Sequence, residues 1–349
     1  QAPPCRNPSF TTAASRQHRS PEPRAQTITS LPLMHALRNA DVVVVGAGVL
    51  GLATTLALRQ AGADVLCLEA NAPGCAQSAG QTRIFRHSYT RPEIVELAAT
   101  ARRGWDQWSQ DWGTPLIEPT GSLLVPEDVD RDAATLRATG VPFTLLDPHD
   151  EERAIPWRKA RADRPALFET SAGTIRAART IAGLRDGVGD ALQIATAYDI
   201  QPQLTGDVVV RANDVMVRAG MVLICAGADT ARLAATAGVT VPVVDHPHSR
   251  AVFRLRDHSL DAMAVPSFRD KAEHPLGAIY TYGVPVGPHE VAIGLEPPDN
   301  TGTYDALSAV QATVDYVAAM LPGLDPDPVR LESCDSTALD TSGTAPWES

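Results

Sequence analysis

Cysteine is scarce in this chain: five in 349 residues, at Cys5, Cys67, Cys75, Cys225 and Cys334, with no CxxC pair. An odd, unpatterned set excludes a disulfide framework and a cysteine-based zinc cluster. It suits a reducing compartment, so a cytoplasmic location is expected. An excess of basic charge is also missing. Thirty Lys and Arg stand against 41 Asp and Glu, a net charge of −11 with a sequence pI near 5.3. That removes the electrostatic case for nucleic acid or an anionic membrane surface as partner. It leaves open a local basic pocket for a small anion. No run is well suited to spanning a bilayer: the longest apolar stretch, Val42 to Leu58, is marginal in length and carries Gly46, Gly48 and Gly51. Residues 1–33 hold six prolines, many Ser and Thr, and no apolar core before a small-residue cleavage site. They are expected to form a disordered leader, not a secretory signal.

What is present is a soluble composition, 44% hydrophobic and 20% charged, in a chain long enough for roughly two domains. Asp41 to Val45 reads as a buried parallel strand, β-branched on both faces. Gly46-Ala47-Gly48-Val49-Leu50-Gly51 follows at once, then a helix from Leu52 closed by Gly62, then a strand Asp64–Glu69 ending in an acid. The three glycines serve, in order, a tight turn, close approach of a pyrophosphate, and close helix–strand packing. The helix start offers unpaired N–H groups to phosphates. A carboxylate at Glu69 accepts bonds from a ribose diol, which favours FAD or NAD over NADP. After Glu69 comes a polar, glycine-containing segment, Ser78 to Tyr89, with Arg83 and Arg86 three apart. Such a loop suits an extended cofactor and a nearby substrate better than a generic NAD domain does.

On these residues the chain resembles the FAD-dependent amine oxidoreductases of the D-amino-acid oxidase superfamily, most closely the monomeric sarcosine oxidase and N-methyltryptophan oxidase group. The sharpest parts are Gly46–Gly51 with Glu69, and Thr82-Arg83-Ile84-Phe85-Arg86-His87. Weaker support comes from Ser171–Arg176, from Met221–Ala228 with Gly227, and from Tyr280–Pro285. The resemblance implies an α/β protein: a Rossmann-type FAD-binding domain with a second substrate domain on a mostly antiparallel sheet. It implies Gly46, Gly48, Gly51, Glu69, Thr82, Arg83 and Gly227 as cofactor-binding residues. Arg83 would lie against the flavin and Arg86 would hold a substrate carboxylate, for which a planar guanidinium fork is suited. Tyr282 would line the pocket. Surface ion pairs or helix capping are the alternative for both arginines. His87, with no carboxylate visible beside it in sequence, is expected to be structural.

Two departures from the family pattern bear on activity. The lysine that helps reduced flavin meet oxygen has Ala292 as its counterpart, and the neighbouring histidine falls near Glu296; no lysine follows Ala272. The family's flavin-linking cysteine is matched by Cys334, but only fifteen residues follow it. The chain is therefore expected to be incomplete, and Cys334 is either a thioether site for FAD or a free thiol. Three functional readings stand: an oxidase of amino acids or N-methyl amino acids, a flavin dehydrogenase using a redox partner in place of oxygen, and a truncated inactive homologue that binds only nucleotide.

The remaining pattern predicts a FAD-binding domain in three pieces, residues 34–120, 165–242 and 321–349, and a substrate domain from 121–164 and 243–320. A helix is expected over Arg91–Trp112, with Val95, Leu97, Trp105 and Trp108 forming much of its apolar surface. Asp147, Asp150, Glu151 and Glu152 read as solvated. A strand is expected near Ile194–Ile200, a hairpin from Val208–Arg211 and Asp214–Val217, and a separate strand at Met221–Cys225, where Cys225 is packing material.

Overall fold

The computed structural model describes residues 37–271, 280–296 and 306–339. They belong to two compact units, the first drawn from Gln1–Cys75, Val188–Ala226 and Arg232–Thr240, the second from Ala76–Gly187, Gly227–Ala231 and Val241–Ser349.

The first unit is built on a six-stranded sheet. The β-branched run buries Val42 through Val45 completely enough that both faces need cover, the condition of a central parallel strand. That strand, Leu37–Val45, pairs in parallel with Val65–Glu69 on one side and Met216–Ile224 on the other. Leu192–Ile194 adds in parallel beyond Val65–Glu69, while Val208–Ala212 and Ala197–Pro202 add antiparallel beyond Met216–Ile224. The helix Val49–Gln60 buries Gly51, Leu52, Thr55 and Leu56, one stripe at helical spacing. It begins three residues earlier than the sequence pattern indicates, so the last glycine of the motif lies inside its first turn.

Two expectations are corrected in this unit. The segment near Ile194–Ile200 is two strands, since the ladder with Val65–Glu69 ends at Ile194 and a new one with Val208–Ala212 begins at Ala197. The hairpin's second strand and the strand at Met221 are one element, Met216–Ile224. Leu37 to Val45 pairs with it on both sides of Gly220, Ala40 with Ala219 and Val42 with Met221, so the two segments form one strand.

The second unit holds an eight-stranded sheet in the order Arg330–Leu339, Val243–Arg254, Glu290–Glu296, Tyr280–Gly287, Ser267–Asp270, Ser122–Val125, Ala166–Glu169, Thr144–Leu146. Its pairs are antiparallel except Ser267–Asp270 with Ser122–Val125. Side-chain alternation gives the sheet two unlike faces. One face carries Leu123, Val125, Phe253, Phe268, Val291 and Ile293 into a core with Trp157 and with Tyr316 and Val317 of the helix Ala306–Met320. The other presents a row across five strands, Leu124, Arg269, Tyr282, Gly294 and Arg250, each opposite the next. A separate three-stranded sheet joins Arg83–Phe85, Gly173–Ile175 and Ile117–Glu118.

Here too the structure amends the expectations. In the helix Pro92–Asp111, Val95 is buried but Leu97 is 63% exposed, because Leu97 falls on the solvent side of the turn. Trp105 and Trp108 meet edge to face, and Trp108 stacks on Trp112 at 5.6 Å. Pro148–Ala154 is a helix capped by Asp147, whose side chain accepts the Asp150 N–H at 2.9 Å. It carries Glu151 inward, against the expectation of a solvated face. Glu151 is buried and ion-paired with the equally buried Arg158, which also meets Asp270 at 2.9 Å. A buried carboxylate needs such a partner, and Arg158 lies too near in sequence to a proline-broken stretch for periodicity to reveal it.

Candidate active site

In the first unit the strand ends at Val45 and Gly46 turns the chain with φ +105°, a conformation that favours glycine. The Gly46 N–H donates to Leu68 O at 2.8 Å. A Cβ on Gly46 would stand 2.3 Å from Cys225 O, and one on Gly51 would stand 1.8 Å from Gly46 O. Gly48 is the N-cap and supplies no side-chain cap, and no acid occupies the helix's first turn. The helix's first turn thus sets its amide donors without an acid of its own among them. The half-buried Glu69 accepts the Ala47 N–H at 2.6 Å on one oxygen and the Asn71 N–H at 2.9 Å on the other. Four of the expected cofactor residues are thus brought together by one strand–turn–helix–strand unit. A side-chain-free cradle at the start of a helix and a carboxylate at the end of the second strand fit the ADP half of a dinucleotide. Cys67 and Cys225 flank this turn as packing. Burial pushes the Cys67 thiol up to about 11 and raises that of Cys225, so both are poor nucleophiles.

In the second unit the polar loop is tied down at several points. Thr82 is buried and its hydroxyl donates to Pro285 O at 2.7 Å, anchoring the loop to the strand Tyr280–Gly287. Arg83 folds back on the loop, donating to Thr82 O at 2.8 Å, to Gln77 O at 3.0 Å and to Ala79 O. Gly80, φ +105°, lets its guanidinium approach that of Arg250, since a Cβ there would lie 3.0 Å from Arg83 Nη1 and 2.9 Å from Arg250 Nη2. Arg250 in turn donates to Glu332 at 2.6 Å. Gly227, φ +56°, opens a short 3-10 turn, with Gln77 the nearest neighbour to a notional Cβ at 3.8 Å.

Arg86 donates to Ser88 O at 2.7 Å and lies 3.8 Å over the Tyr89 ring. The segment that carries it is pinned from behind by Glu169, which sequence reasoning missed. Glu169 is fully buried and accepts the His87 N–H at 2.8 Å and the Ser88 N–H at 3.1 Å, with His87 Nδ1 at 3.3 Å. Burial acts to raise the Glu169 carboxyl, but the bonds from His87 and Ser88 outweigh it and hold the group below the ordinary carboxylate range. His87 thus has the carboxylate partner that the local sequence did not display, and the pair serves as an anchor. The only local sign of Glu169 is an acid closing the run Ala166-Leu167-Phe168.

Tyr282 lies across Gly294, where a Cβ would meet its ring and hydroxyl at 2.3 Å. On the same sheet face Ala292 is fully buried with Val252 and Val284, against Ile84. Arg269, also missed, is the direct cross-strand neighbour of Tyr282. Cys334 pairs through its backbone with His248 in the ladder between Val243–Arg254 and Arg330–Leu339. The thiol of Cys334 and the side chain of Glu296 lie outside the described residues.

Residues 41–343 match the family model for DAO, FAD dependent oxidoreductase. The chain belongs to this family. It is therefore an FAD-dependent oxidoreductase, and the choice that the glycine motif left between FAD and NAD is settled as FAD. Over 322 residues this family member is 24% identical to the peroxisomal sarcosine oxidase of Homo sapiens, covering 84% of this chain and 80% of that protein. It is 30% identical over 149 residues to the monomeric sarcosine oxidase of Streptomyces avermitilis, covering 41% and 39%. Among solved structures, the open form of NikD, described as an unusual amino acid oxidase essential for nikkomycin biosynthesis, matches with a TM-score of 0.72. Identity there is 24%, over 86% of this chain and 82% of that one. The mixed α/β architecture and Rossmann-type motif agree with that fold. Among the described residues no helix is long and apolar enough to cross a membrane.

Proposed function

We propose that this FAD-dependent oxidoreductase oxidises the C–N bond of an amino acid or N-methyl amino acid to an imine, which water then hydrolyses. The observation that carries the reading is the placing of Arg86 on a segment locked by the buried Glu169, in a chain whose relatives include sarcosine oxidases. FAD, when bound, would take up the hydrogen and electron pair of the C–H bond beside the nitrogen as C–N becomes C=N, the N–H proton passing to solvent. Gly46, Gly48, Gly51 and Glu69 are assigned to its ADP half. Thr82, Arg83 and Gly227 are assigned to the remainder, with Cys334 the thiol offered for covalent attachment. Arg86 holds the substrate carboxylate by a charge-assisted fork, and Tyr282 lines the pocket. No general base is assigned, since an amine bound neutral surrenders hydride without one. Free cysteines at Cys67 and Cys225 support a reducing, cytoplasmic setting.

A second reading concerns the electron acceptor. Ala292 is buried in an apolar patch where the family resemblance implies a lysine that assists oxygen. That favours a redox partner over oxygen as acceptor.

The test is anaerobic bleaching of the flavin by an amino acid and by its carboxylate-free amine analogue. Arg86→Lys should weaken the amino acid roughly tenfold to a hundredfold, the worth of about 1.5–3 kcal/mol for a charge-assisted bond, and spare the amine. Equal losses on both would remove Arg86 from the carboxylate. A bleached protein that reoxidises slowly in air supports the second reading, and flavin retained in the pellet after acid precipitation supports attachment. A protein colourless after flavin supplementation would overturn the proposal in favour of an inactive homologue.

A further inference from the structure

The Glu169 carboxylate meets His87 at both ends. Its Oε2 accepts the His87 backbone N–H at 2.8 Å and lies 3.3 Å from His87 Nδ1, while its Oε1 accepts the Ser88 N–H at 3.1 Å. One side chain therefore fixes the His87 rotamer together with the peptide plane that follows it. A carboxylate only accepts, so the form of the ring that bonds to it carries a proton on Nδ1. Other parts of the same unit close in the buried ring. Phe85 meets it edge to face at 5.1 Å, and Ser171 Oγ stands 3.5 Å from Nδ1. From the helix Pro92–Asp111, Arg102 lies 5.7 Å over the Phe85 ring, donates to Ser171 O and is paired with Asp106 at 2.9 Å. Serine, histidine and glutamate are the residue types of a hydrolytic triad. Here Ser171 and Glu169 both address Nδ1, so the ring cannot pass a proton from one to the other. The geometry holds a ring still instead.

What is held still leads to Arg86 in three short steps. His87 O accepts the Tyr89 N–H at 2.7 Å, which fixes the next peptide plane, the one that contains the Ser88 carbonyl. That carbonyl accepts the Arg86 Nη1–H at 2.7 Å and has Arg269 Nη1 at 3.4 Å. The Arg86 guanidinium also lies over the ring of Tyr89, whose own backbone belongs to the same turn. A tilt of the turn would therefore carry the guanidinium with it.

Resting on the functional reading above, we propose that His87 is a positioning residue: its Nδ1 contact to Glu169 sets the Ser88 carbonyl, and through it the Arg86 guanidinium, and so gives the enzyme its preference for amines that bear a carboxylate. His87 touches no substrate and moves no proton in the reaction. It acts through the direction in which Arg86 presents its fork, and misplacement of such a group is felt in binding.

The experiment uses the flavin-loaded full chain as wild type, His87→Leu and His87→Asn. Leucine approximates the size without a donor, and the asparagine amide puts an N–H where Nδ1–H stands. Propanoate is titrated into each oxidised protein, with binding read from the flavin absorption spectrum. Anaerobic bleaching is then measured with N-methylglycine and with dimethylamine. His87→Leu should raise the propanoate Kd and the N-methylglycine KM roughly tenfold, the order expected for losing one bond to a charged group. The limiting rate should change less, the preference for N-methylglycine over dimethylamine should fall by a similar factor, and His87→Asn should recover most of it. On an Arg86→Lys background His87→Leu should add little, because both changes act on one fork. A preference left unchanged in His87→Leu, whether by wild-type behaviour or by equal losses on both amines, overturns the inference. Full additivity with Arg86→Lys overturns it too, as does a His87→Asn protein no better than His87→Leu. If His87→Leu holds no flavin, His87→Asn is compared with His87→Gln, whose amide falls one bond further out; equal preference in those two overturns the inference. A wild type that neither binds propanoate nor bleaches with any amine overturns the functional reading and this inference with it. A wild type that does both while His87→Leu copies it overturns this inference only.

Discussion

Glu169 accepts the backbone N–H groups of both His87 and Ser88, so one carboxylate buried in the second unit fixes the segment that carries Arg86. Glu169→Gln keeps the shape but replaces one acceptor oxygen with a donor, leaving a buried N–H facing an amide NH2. The expected cost is about 1–3 kcal/mol, read as a lower midpoint in urea. Because that carboxyl sits below its ordinary value of 4.5, its contribution is complete above that pH and is lost as pH falls through the depressed folded value. Wild-type stability should therefore drop on acidification more steeply than that of Glu169→Gln. Parallel acid limbs for the two proteins would contradict this account.

Gly46→Ala places a Cβ 2.3 Å from Cys225 O at φ +105°. Backbone oxygen cannot swing aside as a side chain can, so the turn must move away from its strand. We expect reduced flavin content after purification together with a lower Tm, since overpacking of this kind costs about 1–3 kcal/mol. The absorbance ratio of flavin to protein measures the first. A variant with wild-type flavin occupancy would show that the cradle tolerates a side chain.

Gly294 and Gly283 test the two faces of the large sheet against each other. A methyl on Gly294 meets the Tyr282 ring, whereas one on Gly283 meets Phe268 at 2.0 Å inside the fully buried core. Gly294→Ala should displace Tyr282 and slow anaerobic bleaching by amino acids while leaving Tm near wild type. Gly283→Ala should lower Tm with the Tyr282 face untouched. Reversal of that pattern would mean that the faces have been assigned the wrong way round.

Asp270 joins Arg158 and Arg161, and Tyr316 donates to it at 3.0 Å. Burial first, and the Asp270 charge second, push the Tyr316 phenol well up, so it stays a donor. Asp270→Asn strips the charge from a buried pair and should cost about 3–5 kcal/mol. Tyr316→Phe should cost less, and a double-mutant cycle in denaturant should give a coupling well above the error. Additive losses would indicate that the phenol's bond contributes nothing of its own.

Local pattern was enough for the strand–turn–helix–strand unit from Leu37 to Glu69. The run Val42–Val45, the three glycines, the apolar stripe that follows and Glu69 lie within one stretch of chain, and each obeys a short-range rule of strand, turn or helix. Family resemblance singled out Arg83 and Arg86 in the next loop. Tertiary structure alone decided what surrounds them. Glu169 lies 82 residues from His87, and Arg269 lies 181 residues from Ser88; no periodicity links such pairs. The course of Met216–Ile224 through Gly220 and the inward turn of Glu151 were decided the same way, by a strand partner and an ion partner elsewhere in the chain. Local rules describe which backbone a segment favours and which face it buries. Which buried charge meets which, and which guanidinium groups converge on one carbonyl, follow from sheet order and register, and those are set only when distant strands pair.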